Sequence, residues 1–398
     1  MSRWQARRFM WRGIFAVLMA AGAYATYLRV RYGLGGVTNL NDQFPWGIWI
    51  GFDILCGVGL AAGGFTLVAV VHIFNIERYK PILRPAILTA FLGYLLVVLA
   101  LLFDLGRPDR IWHPLVMWNP HSVMFEVAWC VTLYTTVLAL EFAPAVFERW
   151  GWKRPLDWLR FISVPLMIVG VILSTLHQSS LGSLYLIVPY KLYPLWYSPL
   201  LPVFFYLSAI CVGLAMTIFE SWHSSRVFGR ALELPLAAGL ARVLAVLLMT
   251  FLFVRFLDLQ HRGALALLRE NRPETWLFGL ETALLAAPMV LLFQRKVRWN
   301  PGRLYGAVVM VIFGFIANRL NVSVTGMEAG SGTHYIPRWT EVTVTLAIVA
   351  LGFAVFRWIA LRFPIFDEQR ASAFEAVAAE PAAAAAVEEE VPVGIRKR

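Results

Sequence analysis

Apolar residues run through this chain in ten long blocks parted by short polar segments. The blocks fall at 13–30, 46–76, 85–103, 121–147, 161–177, 197–219, 236–257, 275–293, 304–318 and 341–361. A helix needs roughly 17 to 25 mostly apolar residues to cross a bilayer, so the pattern predicts an all-α polytopic membrane protein with about ten transmembrane helices. Composition agrees: of 398 residues, 59% are hydrophobic and only 15% charged, too apolar for a soluble domain.

An even number of spans puts both termini on one side, and the basic residues orient them. About 23 of the Lys and Arg residues fall on the side of the termini and about 10 opposite, which predicts cytoplasmic termini in a bacterial inner membrane. The net charge of +11 is this asymmetry, and it gives no reason to expect nucleic acid. The start, "RRFMWRGIFAVLMAAGAYA", also resembles a twin-arginine signal, but cleavage would leave nine spans and weaken the charge asymmetry. The Ala/Glu/Pro-biased tail, 371–398, reads as a solvated cytoplasmic extension. Cys56, Cys130 and Cys211 lie singly in apolar runs with no C-x-x-C or C-x-x-C-H, so neither an iron–sulfur cluster nor a c-type haem is expected.

An internal repeat is legible. "VGLA" at 58–61 recurs at 212–215, and Asp104-Leu105 recurs as Asp258-Leu259 at the same offset, each followed by an Arg (Arg107, Arg262). Glu126 and Glu281 follow in the next span. Chance similarity among Leu/Ala/Gly-rich helices is the alternative. The repeat predicts two parallel four-helix bundles, 46–196 and 197–340, flanked by the first helix (within 1–45) and the tenth (341–370).

Topology places several polar residues at the extracytoplasmic end of the first unit. Asp53 lies seven residues into the second span, about 10 Å deep. The third span leaves with Asp104 and Arg107, the fourth enters through His121 with Glu126 a turn further in, and the fifth leaves with His177 and Gln178 in "STLHQSSLGS". A charge within a membrane helix costs about 2.5 to 3.5 kcal/mol on insertion scales, so such groups should face one another or a wet cavity. Asp104 with Arg107 could instead cap a helix end, and His177 could bond a carbonyl. Pro108, Pro114 and Pro120 shape the 103–122 loop, and Trp112 and Trp118 fit an aromatic belt. The second unit holds Arg255, Asp258, Glu281, Asn318 and Arg319, a decayed copy or a proton route. His72, Glu141, Glu220 and Arg242, toward the cytoplasmic side, read as mostly structural.

"PWGIWIGFDILCGVGLAAGG", "DLGRPDRIWHPLVMWNPHS" and "LSTLHQSSLGSLY" resemble the polysulfide-reductase (NrfD-like) family of membrane subunits over roughly 10–365, most closely its hydrogenase integral membrane branch. The resemblance implies a subunit without covalent cofactor that meets menaquinone or ubiquinone as an exchangeable substrate in the first bundle. It also implies a four-cluster ferredoxin-like iron–sulfur subunit docked on the extracytoplasmic face, which relays electrons from a hydrogenase or another catalytic subunit. On that reading His177, Asp104, Arg107, Gln178 and His121 contact the quinone, while Asp53, Glu126, Asp258, Glu281 and Arg255 move protons. Protons would be exchanged mainly outward, and any transmembrane proton movement would pass through the second unit. The rivals are a secondary transporter, for which no Gly/Pro-interrupted pair of helices is evident, and a b-type cytochrome, for which His121 and His177 offer one pair at most.

Overall fold

The protein, seen in a computed structural model, is described over residues 3–366 apart from 70, 72–75, 77, 78 and 230. His72 and the predicted tail lie outside the described residues. Among the described residues, ten helices are long and apolar enough to span a membrane: α1 (Phe9–Tyr32), α2 (Trp49–Val68), α3 (Ile82–Asp104), α4 (Val123–Trp150), α5 (Ser163–Ile187), α6 (Leu201–Phe228), α7 (Leu234–His261), α8 (Pro273–Phe293), α9 (Pro301–Ser331) and α10 (Trp339–Ala360). No strand occurs among the described residues. The chain is a multi-pass integral membrane protein.

The helices outrun the apolar blocks where polar residues turn inward. α5 continues past His177 to Ile187, and α9 past Asn318 to Ser331. Polarity ended both blocks in the sequence, yet Gln178, Ser180, Arg319 and Asn321 are buried in the protein, where a helical backbone can continue while the side chains find partners.

Neighbouring helices form two closed circuits, α2–α3–α4–α5 and α6–α7–α8–α9, joined through α2–α6, α5–α6 and α2–α9. Helices α1 and α10 pair and lie against α2 and α3. One end of the molecule, the terminal face, gathers Arg84, Arg149 and Phe228 against Pro364, Arg362 and Phe366. At the opposite loop face, Asn39 donates to Glu341, Tyr193 to Gly326 and Arg262 to Pro194.

Helix α2 is irregular. It is π-helical over Trp49–Cys56, turns at Ala61 and Ala62, and resumes as α-helix over Gly63–Val68. Helix α9 carries a second π-turn, Asn321–Thr325, against that of α2. At Gly51 an added Cβ would stand 2.4 Å from Ser323 Oγ, so the approach needs glycine. These π-turns are not the Gly/Pro-interrupted pair looked for in the residues, and they leave no Pro or periodicity signature by which the residues could announce them.

Candidate functional site

The polar residues separate into three groups rather than one. The first lies where α1 and α10 meet α2 and α3. Asp53 accepts from Thr345 Oγ1 at 2.8 Å, and Arg29 donates to the Phe103 and Leu105 carbonyls at 2.9 and 2.6 Å. Those carbonyls flank Asp104, whose Oδ1 is buried without a partner. Glu341 accepts from Tyr335 Oη and from the Asn39 and Arg338 amides. In the loop before α10, burial and this bond to Glu341 push the Tyr335 phenol well above its ordinary pKa.

Arg107 does not join Asp104. It is exposed and bonds Asp109 at 3.0 and 3.1 Å. The cause is local: α3 ends at Asp104, and Leu105 is extended (φ −62°, ψ 126°), so Arg107 is no longer on the helix. His121 is also exposed, at the mouth of α4. Glu126, one turn inside, is exposed on its own side of the bundle and accepts from Ser180 at 2.5 Å. Thus Asp53 and Glu126 face different neighbours, and the shared cluster expected of the four helix ends does not form.

The second group is inside the first bundle. His177 is fully buried with both ring nitrogens unpartnered, and its ring lies 5.6 Å from that of Tyr94. Tyr94 meets Tyr134 edge-on at 4.7 Å. Gln178 Nε2 donates to the Val58 carbonyl at 3.3 Å. That carbonyl is released because the Ala62 amide turns to Gly59 at the break in α2, so Gln178 fastens α5 to the irregular helix.

The third group occupies the second bundle. Glu281, fully buried, accepts from Arg255, with Asn318 Nδ2 (2.7 Å), Asn321 Nδ2 (2.8 Å) and Trp196 Nε1 (2.9 Å) as further donors. Arg319 donates to Asn318, Ser208 and the Phe205 carbonyl, its guanidinium 3.6 Å from the Phe205 ring. Asp258 pairs with Arg262 at 2.7 Å and accepts from Ser198. A small cavity between these two pairs is lined by Trp196, Ser198, Phe251, Arg255, Asp258 and Asn318.

Sequence reasoning missed Arg29, Glu341, Thr345 and Tyr335, all supplied by the flanking segments, and Tyr94 and Tyr134 as companions of His177. The readable signal for the tyrosines was their place well inside apolar helices, away from the interfacial belt where Tyr is common. Glu141, read as mostly structural, lies close to Tyr134 and to Gly170.

A ten-span helical bundle with fully buried, unpartnered imidazole and phenol groups is an integral membrane subunit built around internal polar chemistry. The chain belongs to the family described as polysulphide reductase, NrfD, which matches residues 36–328. It is 38% identical over 365 residues to a protein of Nitratidesulfovibrio vulgaris, covering 89% of this chain and 94% of that one. It is 36% identical over 357 residues to the probable Ni/Fe-hydrogenase 2 b-type cytochrome subunit of Escherichia coli, covering 88% and 91%. With the menaquinone reductase integral membrane subunit of N. vulgaris it shares 29% over 394 residues, covering 90% and 92%.

The name of the E. coli relative raises a b-type haem, which needs two axial ligands facing each other. Among the described residues His177 is the one histidine buried inside a span, and the rings around it are those of Tyr94 and Tyr134. These described residues do not supply the facing pair of imidazoles that a bis-histidine haem needs.

Proposed function

We propose that this chain is the quinone/quinol-interacting membrane subunit of a multisubunit respiratory redox complex, passing electrons between an iron–sulfur partner and menaquinone or ubiquinone. Family membership and relatives named for a hydrogenase and a menaquinone reductase support this. The observation that carries it is His177, fully buried with two free ring nitrogens in the first bundle, toward the loop face. Imidazole can hydrogen-bond one quinone carbonyl and exchange a proton with it, since reduction to the quinol takes up two electrons and two protons. Asp104, with one free carboxylate oxygen at the end of α3, is a second candidate at that level. Arg107 and His121, exposed on the loop, are better placed to meet a partner subunit than a quinone.

The terminal face is cytoplasmic on the charge argument, so the loop face carries the iron–sulfur partner, a four-cluster ferredoxin-like protein, and beyond it a hydrogenase or another catalytic subunit. In the purified complex, His177→Ala is expected to leave assembly and reduction of a soluble acceptor intact while lowering quinone-coupled turnover about 100-fold. Normal quinone turnover in the assembled variant would remove His177 from the site. The isolated chain should show no Soret band; a b-type spectrum that disappears in the same variant would replace this reading with the cytochrome one.

A further inference from the structure

Among the described residues, the fully buried polar side chains of the first bundle without a hydrogen-bond partner in the protein include Tyr94, Tyr134, Ser174 and His177. Glu141 adds a buried, unpartnered Oε1. These groups are contiguous. Tyr94 touches both His177 and Tyr134, and Tyr134 lies beside Ser174. On α5, His177, Ser174 and Gly170 recur at three- and four-residue intervals and share a face; on α4, Tyr134 and Glu141 are two turns apart on one face.

Gly170 lets α5 approach the lower pair closely. A Cβ there would stand 3.1 Å from Val137 Cγ1, 3.5 Å from Glu141 Oε1 and 3.9 Å from the Tyr134 ring. From His177 to the level of Gly170 the file descends about 10 Å. Beyond Glu141, Leu88, Leu92 and Ala145 form an apolar plug before the Glu148–Arg84 ion pair at the terminal face.

Five such groups in one file, of which Tyr134 and Ser174 lie close enough to pair with each other, point to a common cause. Buried donors and acceptors are almost always satisfied, and where protein does not do it ordered water does. In the second bundle Thr282 Oγ1 and Arg319 Nε are also unpartnered, but the buried carboxylate, Glu281, meets four donors.

We propose that this file holds a chain of water that carries protons between Glu141 and His177, making Glu141 the proton-exchanging group on the terminal-face side of the quinone site. The inference rests on the quinone reading above and moves the proton route from the second bundle to the first. In quinone reduction two electrons arrive from the iron–sulfur partner and two protons leave the file at His177. Each proton lost by the Glu141 carboxyl is replaced from terminal-face water when the plug below it wets. Quinol oxidation runs the same transfers in reverse.

Two measurements test this separately. Radiolytic hydroxyl-radical footprinting of the detergent-solubilised complex oxidises aromatic side chains beside internal water. Tyr94 and Tyr134 should be labelled well above the equally buried Phe205 and Phe315, and labelling at or below that level overturns the water file. Quinone turnover is then measured in proteoliposomes with reduced viologen as donor and a short-chain menaquinone as acceptor. Glu141→Gln should slow it about 100-fold, Glu141→Asp should recover much of the loss, and Gly170→Ala, which crowds Val137 and Glu141, should slow it less. Unchanged turnover in Glu141→Gln, or no rescue by Asp, overturns the proton role. A wild-type complex that labels as expected yet shows no quinone turnover would instead sink the quinone reading.

Discussion

Asp104 and Asp258 stand 154 residues apart at the loop-face ends of α3 and α7, yet of the two it is Asp258 that forms an ion pair. Helix α7 runs on to His261, so Arg262 lies one turn above Asp258 and pairs with it. Helix α3 stops at Asp104, which leaves Arg107 in solvent and Asp104 beside Arg29 of α1. A related contrast holds for the carboxylates one span later: Glu126 is exposed with one serine partner, whereas Glu281 is sealed among four donors. Removing one member of a buried pair strands the other, at a cost of about 3 to 5 kcal/mol, whereas replacing both with apolar residues of similar volume can be nearly neutral. Glu281→Leu should therefore lower the detergent melting temperature sharply, and Glu281→Leu with Arg255→Met should recover part of the loss. Equal melts for the single and double variants would show that the ion pair is not what holds this core.

At the scale of elements, the decisive contact is the crossing of α2 and α6. The repeated "VGLA" segments both lie at this crossing, where the two circuits join. A Cβ on Gly213 would stand 2.8 to 2.9 Å from backbone atoms of Ala62 and Gly63, and one on Gly63 would stand 3.0 Å from the Gly213 carbonyl oxygen. Neither backbone can yield locally, so even one methyl must part the helices; small residues serve this purpose in membrane helix packing. We expect Gly213→Ala to destabilise the protein by about 1 to 3 kcal/mol, read as a lower melting temperature and weaker assembly. Gly279→Ala, on an open face of α8 with nothing within 4 Å of the new methyl, is the neutral control. The same crossing lies one turn from the carbonyl of Val58 that receives Gln178, so parting the helices should also disturb α5 and lower quinone turnover.

For the whole molecule, two four-helix circuits side by side, with α1 and α10 against one of them, explain why polar groups gather where they do. The proposed orientation has a direct check. Asn119→Cys on the loop face and Lys296→Cys on the terminal face are both exposed, while the three native cysteines are buried. In spheroplasts that express this chain without its partner subunits, a membrane-impermeant maleimide should label position 119 directly and position 296 only after lysis. The opposite pattern would invert the topology and place the docking face in the cytoplasm.

The sequence by itself determined the class and the number of spans, because burying twenty apolar residues in lipid depends on local composition and not on partners. It also named His177, Asp53, Asp104 and Glu281 as groups needing an explanation, because any ionisable residue at membrane depth must find a partner or water. Which partner each found was decided only by the tertiary structure. Helix rise gives depth but not azimuth, so residues on one level, such as Glu126 and Asp53, end on different sides of a bundle. Arg29, Glu341 and Thr345 come from helices that sequence order places at the two ends of the chain and packing brings beside α2 and α3. The file from His177 to Glu141 exists only because α3, α4 and α5 turn tyrosine, serine and glycine faces toward one another, a register that no single helix encodes.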